Sequence, residues 1–483
     1  MSRVDGRLRS TAFLVLAGML LACPGTGRAE IRKSQTPLLS FRGFAAEEED
    51  EPRLDGDPRP GAAWLAAGKI VLSNAVLWLF DRYVVNYEFS HISWQTIRDN
   101  FRYGFIWDPD TLSTSFLGHP FHGGAYFNTA RSLGLSFWAC IPYNALGYLT
   151  WGLFLENDRA SYNDLIMTTL GGVNTGELQW RFSSQVLDDA ATGLERVGRE
   201  ALAFLIDPSR GLTRLLSGGM FHHRDGNREL RAPMKGWIAL EGLAVSDEGS
   251  LRRSHAGAGL AADIVYGIGP GTIAHGNPFD IIFAHGEVRY ALKRYRLQFS
   301  TYGPWFGGAW GRVGGPQHFA GLFQNYDFLD TEAFQMGGTS TTAGLVSVFP
   351  LGRGAELRTS LQAGGLILGG VKNEYVAVGK RTYNYGSGAV GKVEARLSHP
   401  GWGALSLRLS HFRVFTLERT APLDADESRD SLTLFEARYS LPVTRAWGVS
   451  LDYGRYARRQ RFEGHPDSRG DSTRLGAALE FRF

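Results

Sequence analysis

The sequence predicts a transmembrane antiparallel β-barrel of about 12 strands preceded by an α-helical domain, and three observations carry that expectation. Over residues 235–483 apolar and polar side chains alternate, the period of a strand with two unlike faces. The alternating segments run about 10–14 residues, longer than soluble strands and close to a tilted membrane crossing. The chain also ends in an aromatic residue, Phe483, on the apolar face of its last segment.

Composition narrows the alternatives. Of 483 residues 61 are glycine, about 13% against the usual ~7%. A mean hydropathy of −0.17 excludes a polytopic helical membrane protein. A net charge of +3 excludes a strongly basic nucleic-acid binder, so no nucleic acid is expected as a partner. Two cysteines exclude a disulfide scaffold and a cysteine-rich metal site.

Taken in order, residues 1–29 read as a signal peptide. Arg3, Arg7 and Arg9 precede an apolar run at 11–22 that is short for a bilayer span. Gly27-Arg28-Ala29 fits ordinary cleavage, while Leu20-Leu21-Ala22-Cys23 resembles a lipobox that would lipidate Cys23. Residues 30–60, with the acidic block Glu47-Glu48-Glu49-Asp50-Glu51 and Pro52, Pro58 and Pro60, read as a disordered linker.

Residues 61–230 read as helical. Residues 133–155 carry no charge, yet Pro142 and Asn144 inside them point to a helix buried in protein. Gly172 and Gly176, four apart, allow another helix to approach closely.

From 235 onward the period becomes two. Trp447, Val449, Leu451 and Tyr453 alternate with Gly448, Ser450, Asp452 and Gly454, and Leu475, Ala477, Leu479, Phe481 and Phe483 close the chain. Polar turns at 424–430 and 463–471 separate such segments. Alternation blurs at 256–267 and at 404–417, where a phase change between Leu409 and Phe412 predicts a bulge. The terminal phenylalanine resembles the C-terminal signal of bacterial outer-membrane barrels. That resemblance implies the outer membrane of a Gram-negative bacterium, with outer-membrane lipid and the barrel assembly machinery as partners. Small inward residues (Gly364, Gly448, Gly454, Gly476, Ala478) leave room for helices, which are expected in the lumen or at the periplasmic mouth.

The densest motif runs from Trp94 to Asp189. It contains Trp94-Gln95-Thr96-Ile97-Arg98-Asp99-Asn100, Trp107-Asp108 and His119-Pro120-Phe121-His122-Gly123-Gly124-Ala125-Tyr126-Phe127-Asn128-Thr129-Ala130-Arg131. Trp151, Glu156, Ser161-Tyr162-Asn163-Asp164, Thr168, Gly171-Gly172, Gly176-Glu177, Arg181 and Ser183 follow. This pattern resembles a bacterial envelope family, domain of unknown function 3943, over residues 65–210. Gly152 stands where the family has Glu, and Ala160 where it has Pro. The resemblance supplies no activity.

The charged residues in these apolar helices must be paired or hydrogen-bonded. His119 and His122 could form a metal or acid/base pair, and Glu156 with Asp164 a carboxylate pair; these four are the candidate catalytic residues. Asn128, Arg131, Thr168, Glu177 and Arg181 are candidates for a binding site or a polar network holding the helices together. His-x-x-His without a third ligand at set spacing identifies no metal, and no cofactor is expected. Three functions stay open: binding or transport of a lipid or other amphiphile with the helices as plug, an outer-membrane enzyme acting on lipid or envelope polymer, and a structural barrel or assembly partner.

Overall fold

The computed structural model describes residues 60–223, 232–246, 254–269, 272–273, 277–312, 314–375, 381–417 and 427–483. The expected signal peptide, Cys23 and the acidic linker block lie outside the described residues. The chain divides into two compact units between Arg231 and Ala232.

The first unit contains helices α1 (Ala62–Phe80), α2 (Trp94–Tyr103), α3 (His119–Arg131), α4 (Phe137–Phe154), α5 (Tyr162–Ile166), α6 (Gly172–Val186), α7 (Gly193–Ile206) and α8 (Pro208–Leu216). Ser93 and Thr96 start α2 with a capping box, each side chain accepting from the other's backbone N–H. Helix α6 is the centre: every residue but Trp180 is buried. Helix α3 packs against it through glycine. A Cβ on Gly123 would stand 1.9 Å from the Thr168 carbonyl, and one on Gly172 would stand 2.7 Å from the Gly123 backbone. Only hydrogen fits at either position, so the two backbones meet directly.

The apolar run at 133–155 is helical only from Phe137 to Phe154. One face is buried, with Phe137, Cys140, Asn144, Tyr148 and Trp151 on it. Asn144 Nδ2 donates to the Thr169 carbonyl at 3.1 Å, while Pro142 is exposed. Among the described residues the helix long and apolar enough to cross a membrane is Ala62–Val85, of mean hydropathy 1.5. Trp64, Leu72, Tyr83 and Val84 on it are largely exposed.

The second unit is a closed antiparallel barrel, in the order β1-β14-β13-β12-β11-β10-β9-β8-β7-β6-β5-β2, plus a two-residue hairpin of β3 (Ile268–Gly269) and β4 (Thr272–Ile273). Its strands are β1 (Met234–Ser246), β2 (His255–Tyr266), β5 (Ile282–Ala291), β6 (Arg294–Gly311), β7 (Gln317–Asp330) and β8 (Gln335–Gly352). They continue with β9 (Ala355–Lys372), β10 (Tyr383–His399), β11 (Gly403–Thr416), β12 (Ser428–Pro442), β13 (Trp447–Phe462) and β14 (Ser468–Arg482). The barrel closes where β1 pairs with β14. The last residue completes the seam: Phe483 N–H donates to the Gly236 carbonyl at 3.2 Å, and Gly236 N–H returns to Phe483 at 3.1 Å.

Alternation sorts the barrel surface. Leu240, Leu405, Leu407, Val449, Leu451, Leu475 and Leu479 are exposed on the outside. Exposed Trp402, Tyr439 and Trp447 stand toward the end bearing the termini, and Tyr290 and Tyr295 at the opposite end. An apolar belt between aromatic girdles is the signature of a membrane-spanning barrel.

The predicted bulge between Leu409 and Phe412 is absent. Strand β11 keeps continuous register with both β10 and β12. Leu409 faces out, whereas Phe412 and Val414 face in, because the lumen itself is apolar at that level. There they pack with Leu329, Leu366, Val390, Leu432 and Leu434. Register shifts occur instead at Pro304/Phe306, Thr339/Ser340, Pro350/Gly352 and Gly386/Gly388.

Candidate functional site

The sequence-predicted residues fall into two separate clusters of the helical unit. In the first, His119 opens α3 and places Nε2 3.1 Å from Asp164 Oδ1. Its Nδ1 is 3.4 Å from the Thr168 hydroxyl. Asp164 is fixed by the start of α5, where Ser161 is the cap: Ser161 Oγ accepts from the Asp164 N–H and donates to Asp164 Oδ2 at 2.7 Å. Asn163 Nδ2 bridges Asp164 at 2.8 Å and Asp108 at 3.0 Å. A parallel bridge between Ile106 and Ser161 holds these segments side by side.

His122, one turn along α3, stacks on Tyr126 and meets Trp151 edge-on. Tyr126 donates to Asn74 on α1 at 2.6 Å. Glu156 accepts from Trp151 Nε1 at 2.5 Å. His122 and Glu156 thus border the same indole.

This cluster is short of charge. Burial lowers His119 to about 4 despite the opposing charge of Asp108, and burial followed by the charge of His119 lowers His122 to about 4. Burial raises Glu156 to about 8 against the Trp151 hydrogen bond, with Asp110, Asp108 and Asp158 adding to the rise. Burial and then the charge of Asp108 push Asp164 well above the carboxylate range. Asp108 is also pushed up by burial, but hydrogen bonds from Asp164, the Asp110 amide and Asn163 outweigh it and hold Asp108 low. Asp108 and Asp164 therefore titrate as a coupled pair rather than as two independent carboxylates. Near neutral pH the two imidazoles are unprotonated and Glu156 is largely protonated.

The second cluster holds Glu177, fully buried on α6, between two arginines. Arg131 approaches it with Nε and Nη2, each at 3.3 Å, and Arg181 with Nε at 2.7 Å. Arg131 also donates to the Leu135 carbonyl at 3.3 Å. Asn128 Nδ2 reaches Gln179 at 3.5 Å. The structure thus joins Arg131, Glu177 and Arg181, and places Glu156 and Asp164 elsewhere.

Sequence reasoning missed a further buried group. Arg214 bonds Asp189 at 2.6 Å and Glu200 at 2.8 Å, and Arg210 lies 3.8 Å over the Trp180 ring. The one local signal was Arg196 and Glu200, spaced i,i+4 on α7.

It also missed the barrel lumen. Arg438 on β12 reaches Glu241 on β1 at 2.9 Å, Asp452 on β13 at 2.8 Å and Glu480 on β14 at 3.4 Å, and lies 3.5 Å over the Trp237 ring. Arg408 on β11 bonds Asp263 on β2 at 2.6 Å and Glu436 on β12 at 3.2 Å. Arg474 on β14 pairs with Glu287 on β5, and Lys392 on β10 with Asp327 on β7 at 2.8 Å. Strands β2 and β11, or β5 and β14, are not neighbours in the sheet, so these pairs span the lumen.

The space between them is a cavity of about 70 Å³. That is room for a few waters. Two of the small inward residues stand close to larger neighbours. A Cβ on Gly454 would stand 2.9 Å from the Tyr456 hydroxyl, and one on Gly448 3.0 Å from the Glu480 carboxylate.

His285, Glu287 and Glu436 form a group whose ligand atoms lie within 4.8 Å of one another. Arg474 pairs with both carboxylates and Arg408 with Glu436, so guanidinium groups already supply the positive charge there. A cation fits this donor set poorly.

Residues 104–209 match the family model of a domain of unknown function, DUF3943. The similarity to that domain lies within the helical unit. The match begins after α2, so α1 and α2 lie outside it, and it includes both clusters around His119 and Glu177. No curated protein matches the sequence. Among solved structures the chain is similar to an outer membrane channel from Pseudomonas putida F1, with 10% identity over 52% of this chain and 96% of that one, at a TM-score of 0.26. It is also similar to an anion-selective porin from Comamonas acidovorans (9%, covering 52% and 99%, TM-score 0.21) and to the Pseudomonas putida toluene transporter TodX (6%, 52% and 88%, 0.21).

Proposed function

We propose that this chain is an outer-membrane protein of a Gram-negative bacterium whose barrel binds, and passes through a gated lumen, a polar or amphiphilic envelope molecule. The observation that carries this reading is the lumen. Acidic and basic side chains from opposite walls converge on one cavity, and an apolar cluster around Phe412 and Val414 lies beyond it on the side away from the termini. An open pore would leave such charges facing water. A purely structural barrel would need no such convergence of ionised groups, which are costly to bury. The signal-like N-terminus and the apolar belt support the location, with outer-membrane lipid and the assembly machinery as partners.

Single-channel recording on the full chain in planar bilayers tests it. Wild type should be silent or nearly so, and Arg438→Ala with Arg408→Ala should raise conductance by removing two lumen-spanning links. A steady porin-like current from wild type would end the gated reading. Recovery of the mature chain as a water-soluble periplasmic protein would end the outer-membrane one.

The enzyme reading draws on the His119–Asp164 contact and the displaced acidities around it. Against it, the Ser161 hydroxyl is engaged in capping α5 and in the Asp164 carboxylate. His119→Ala in a deletion strain separates the two readings. Loss of the phenotype with normal levels of folded protein would favour catalysis.

A further inference from the structure

Arg358 on β9 and Arg396 on β10 stand directly opposite each other in the sheet register. Cross-strand partners have Cβ atoms about 5 Å apart, and like charges so placed repel. Both positions share the inward face with Ser360 and Glu394, and both side chains line the luminal cavity. The surrounding carboxylates are committed elsewhere. Asp263 bonds Arg408 at 2.6 Å, Glu394 pairs with Arg408 at 3.5 Å, and Glu480 pairs with Arg438 and Arg482. Lys235 and Glu356 lie at the same end and offset one another in charge.

Among the described residues neither Arg358 nor Arg396 forms an ion pair. Arg396 donates one side-chain hydrogen bond, from Nη1 to Ser406 at 2.8 Å, and Arg358 lies 5.5 Å over the Phe283 ring. Each guanidinium carries five N–H donors in a planar fork. Most of these donors make no hydrogen bond to the protein, and both side chains line the cavity. Every other luminal arginine described above has a carboxylate at ion-pair distance, whereas this pair meets Asp263 and Glu480 only at longer range, beside open space.

We propose that Arg358 and Arg396 form an oxyanion site, which binds a phosphate or carboxylate group carried into the lumen by a small solute or a lipid headgroup. Two guanidinium forks match an anion with two or more oxygens, and binding replaces like-charge repulsion by charge-assisted hydrogen bonds. The inference rests on the reading of the lumen as a binding chamber and names the chemistry it accepts.

Titration calorimetry on the full chain in zwitterionic detergent, at constant ionic strength, tests it with inorganic phosphate and with acetate as probes. Saturable binding of at least one is expected. Arg358→Gln with Arg396→Gln should weaken that binding by about tenfold or more, and the paired lysine variant should retain part of it. Heat-modifiable mobility on gels, unchanged or shifted to higher temperature in the glutamine variant, separates lost binding from lost fold. Absence of saturable binding by folded wild type, or undiminished binding by the glutamine variant, would overturn the site.

Repeating the titration in nanodiscs of phosphatidylcholine, with and without phosphatidylglycerol, assigns the source. Competition by the anionic lipid identifies a headgroup, and unchanged phosphate binding identifies a solute. The conductance outcome is independent: a steady wild-type current removes the gate and leaves phosphate binding as it is.

Discussion

Glu177 has no access to solvent and is held by Arg131 and Arg181. Such a triad adds little net stability while intact, but removing one partner strands a buried charge at a cost of about 3–5 kcal/mol. Glu177→Ala, which leaves Arg131 and Arg181 buried side by side without their shared carboxylate, should therefore destabilise the helical unit by that amount, followed as the helical circular dichroism signal in denaturant. A loss below about 1 kcal/mol would mean that water reaches the two arginines. Glu156 makes a prediction about pH. Its folded carboxyl titrates near 8 rather than at the ordinary 4.5, chiefly through burial. Between those values the folded chain keeps a proton that the unfolded chain has released, so stability falls as pH rises through the window. His119 and His122, lowered to about 4 from 6.5, act in the opposite sense: stability rises with pH between those values and is flat above. Above about pH 6.5 the Glu156 loss stands without that opposition from the two histidines. Glu156→Gln keeps an acceptor for Trp151 and has no proton to lose. It should melt like wild type near pH 5 and clearly higher near about pH 9. Parallel curves across that range would refute the assignment.

At the scale of elements, the α3–α6 contact depends on Gly123 and Gly172. Gly123→Val places a branched side chain where a single Cβ already stands 1.9 Å from a backbone oxygen. Overpacking on this scale is not absorbed by a rotamer change, because the obstacle is backbone. The variant should lose the helical signal yet assemble a barrel of normal heat-modifiable mobility. Joint loss of both would show that the two units fold as one. The Gly172/Gly176 spacing was legible as a place for close approach. Its partner was not, since Gly123 and Gly124 lie in the separate motif that begins at His119. Strand β11 is the converse case. Its phase change was visible in the sequence, but its cause, a lumen apolar at one level and charged at another, depends on what eleven other strands bring to that level.

For the whole molecule, closure is the decisive event. Phe483 completes the β1–β14 seam with two backbone hydrogen bonds, and Phe481 packs its ring against Trp447 at 5.4 Å. Removing Phe483 should slow barrel assembly, measured as the rise of the heat-modifiable form after expression. Unchanged kinetics would show that the terminal residue acts neither as signal nor as clasp. Closure also creates the luminal pairs. Arg408 and Asp263 are 145 positions apart, and Arg474 and Glu287 are 187 apart. No local pattern relates them.

The sequence by itself determined the two-part architecture, the barrel, its approximate strand number and its outer face. These follow from period-two alternation and from segment length, which are properties of short stretches. It also singled out His119, Glu156, Asp164, Arg131 and Glu177, because a charge among apolar neighbours is conspicuous wherever it lies. Only the tertiary structure decided which of them meet, splitting Asp164 with His119 from Glu177 with Arg131. It alone showed the arginine–carboxylate pairs across the lumen. The physical reason is that a strand's inward residue reads as polar or small whether it faces water, a helix or a partner across the barrel. Which of these it faces is fixed only when the last strand pairs with the first.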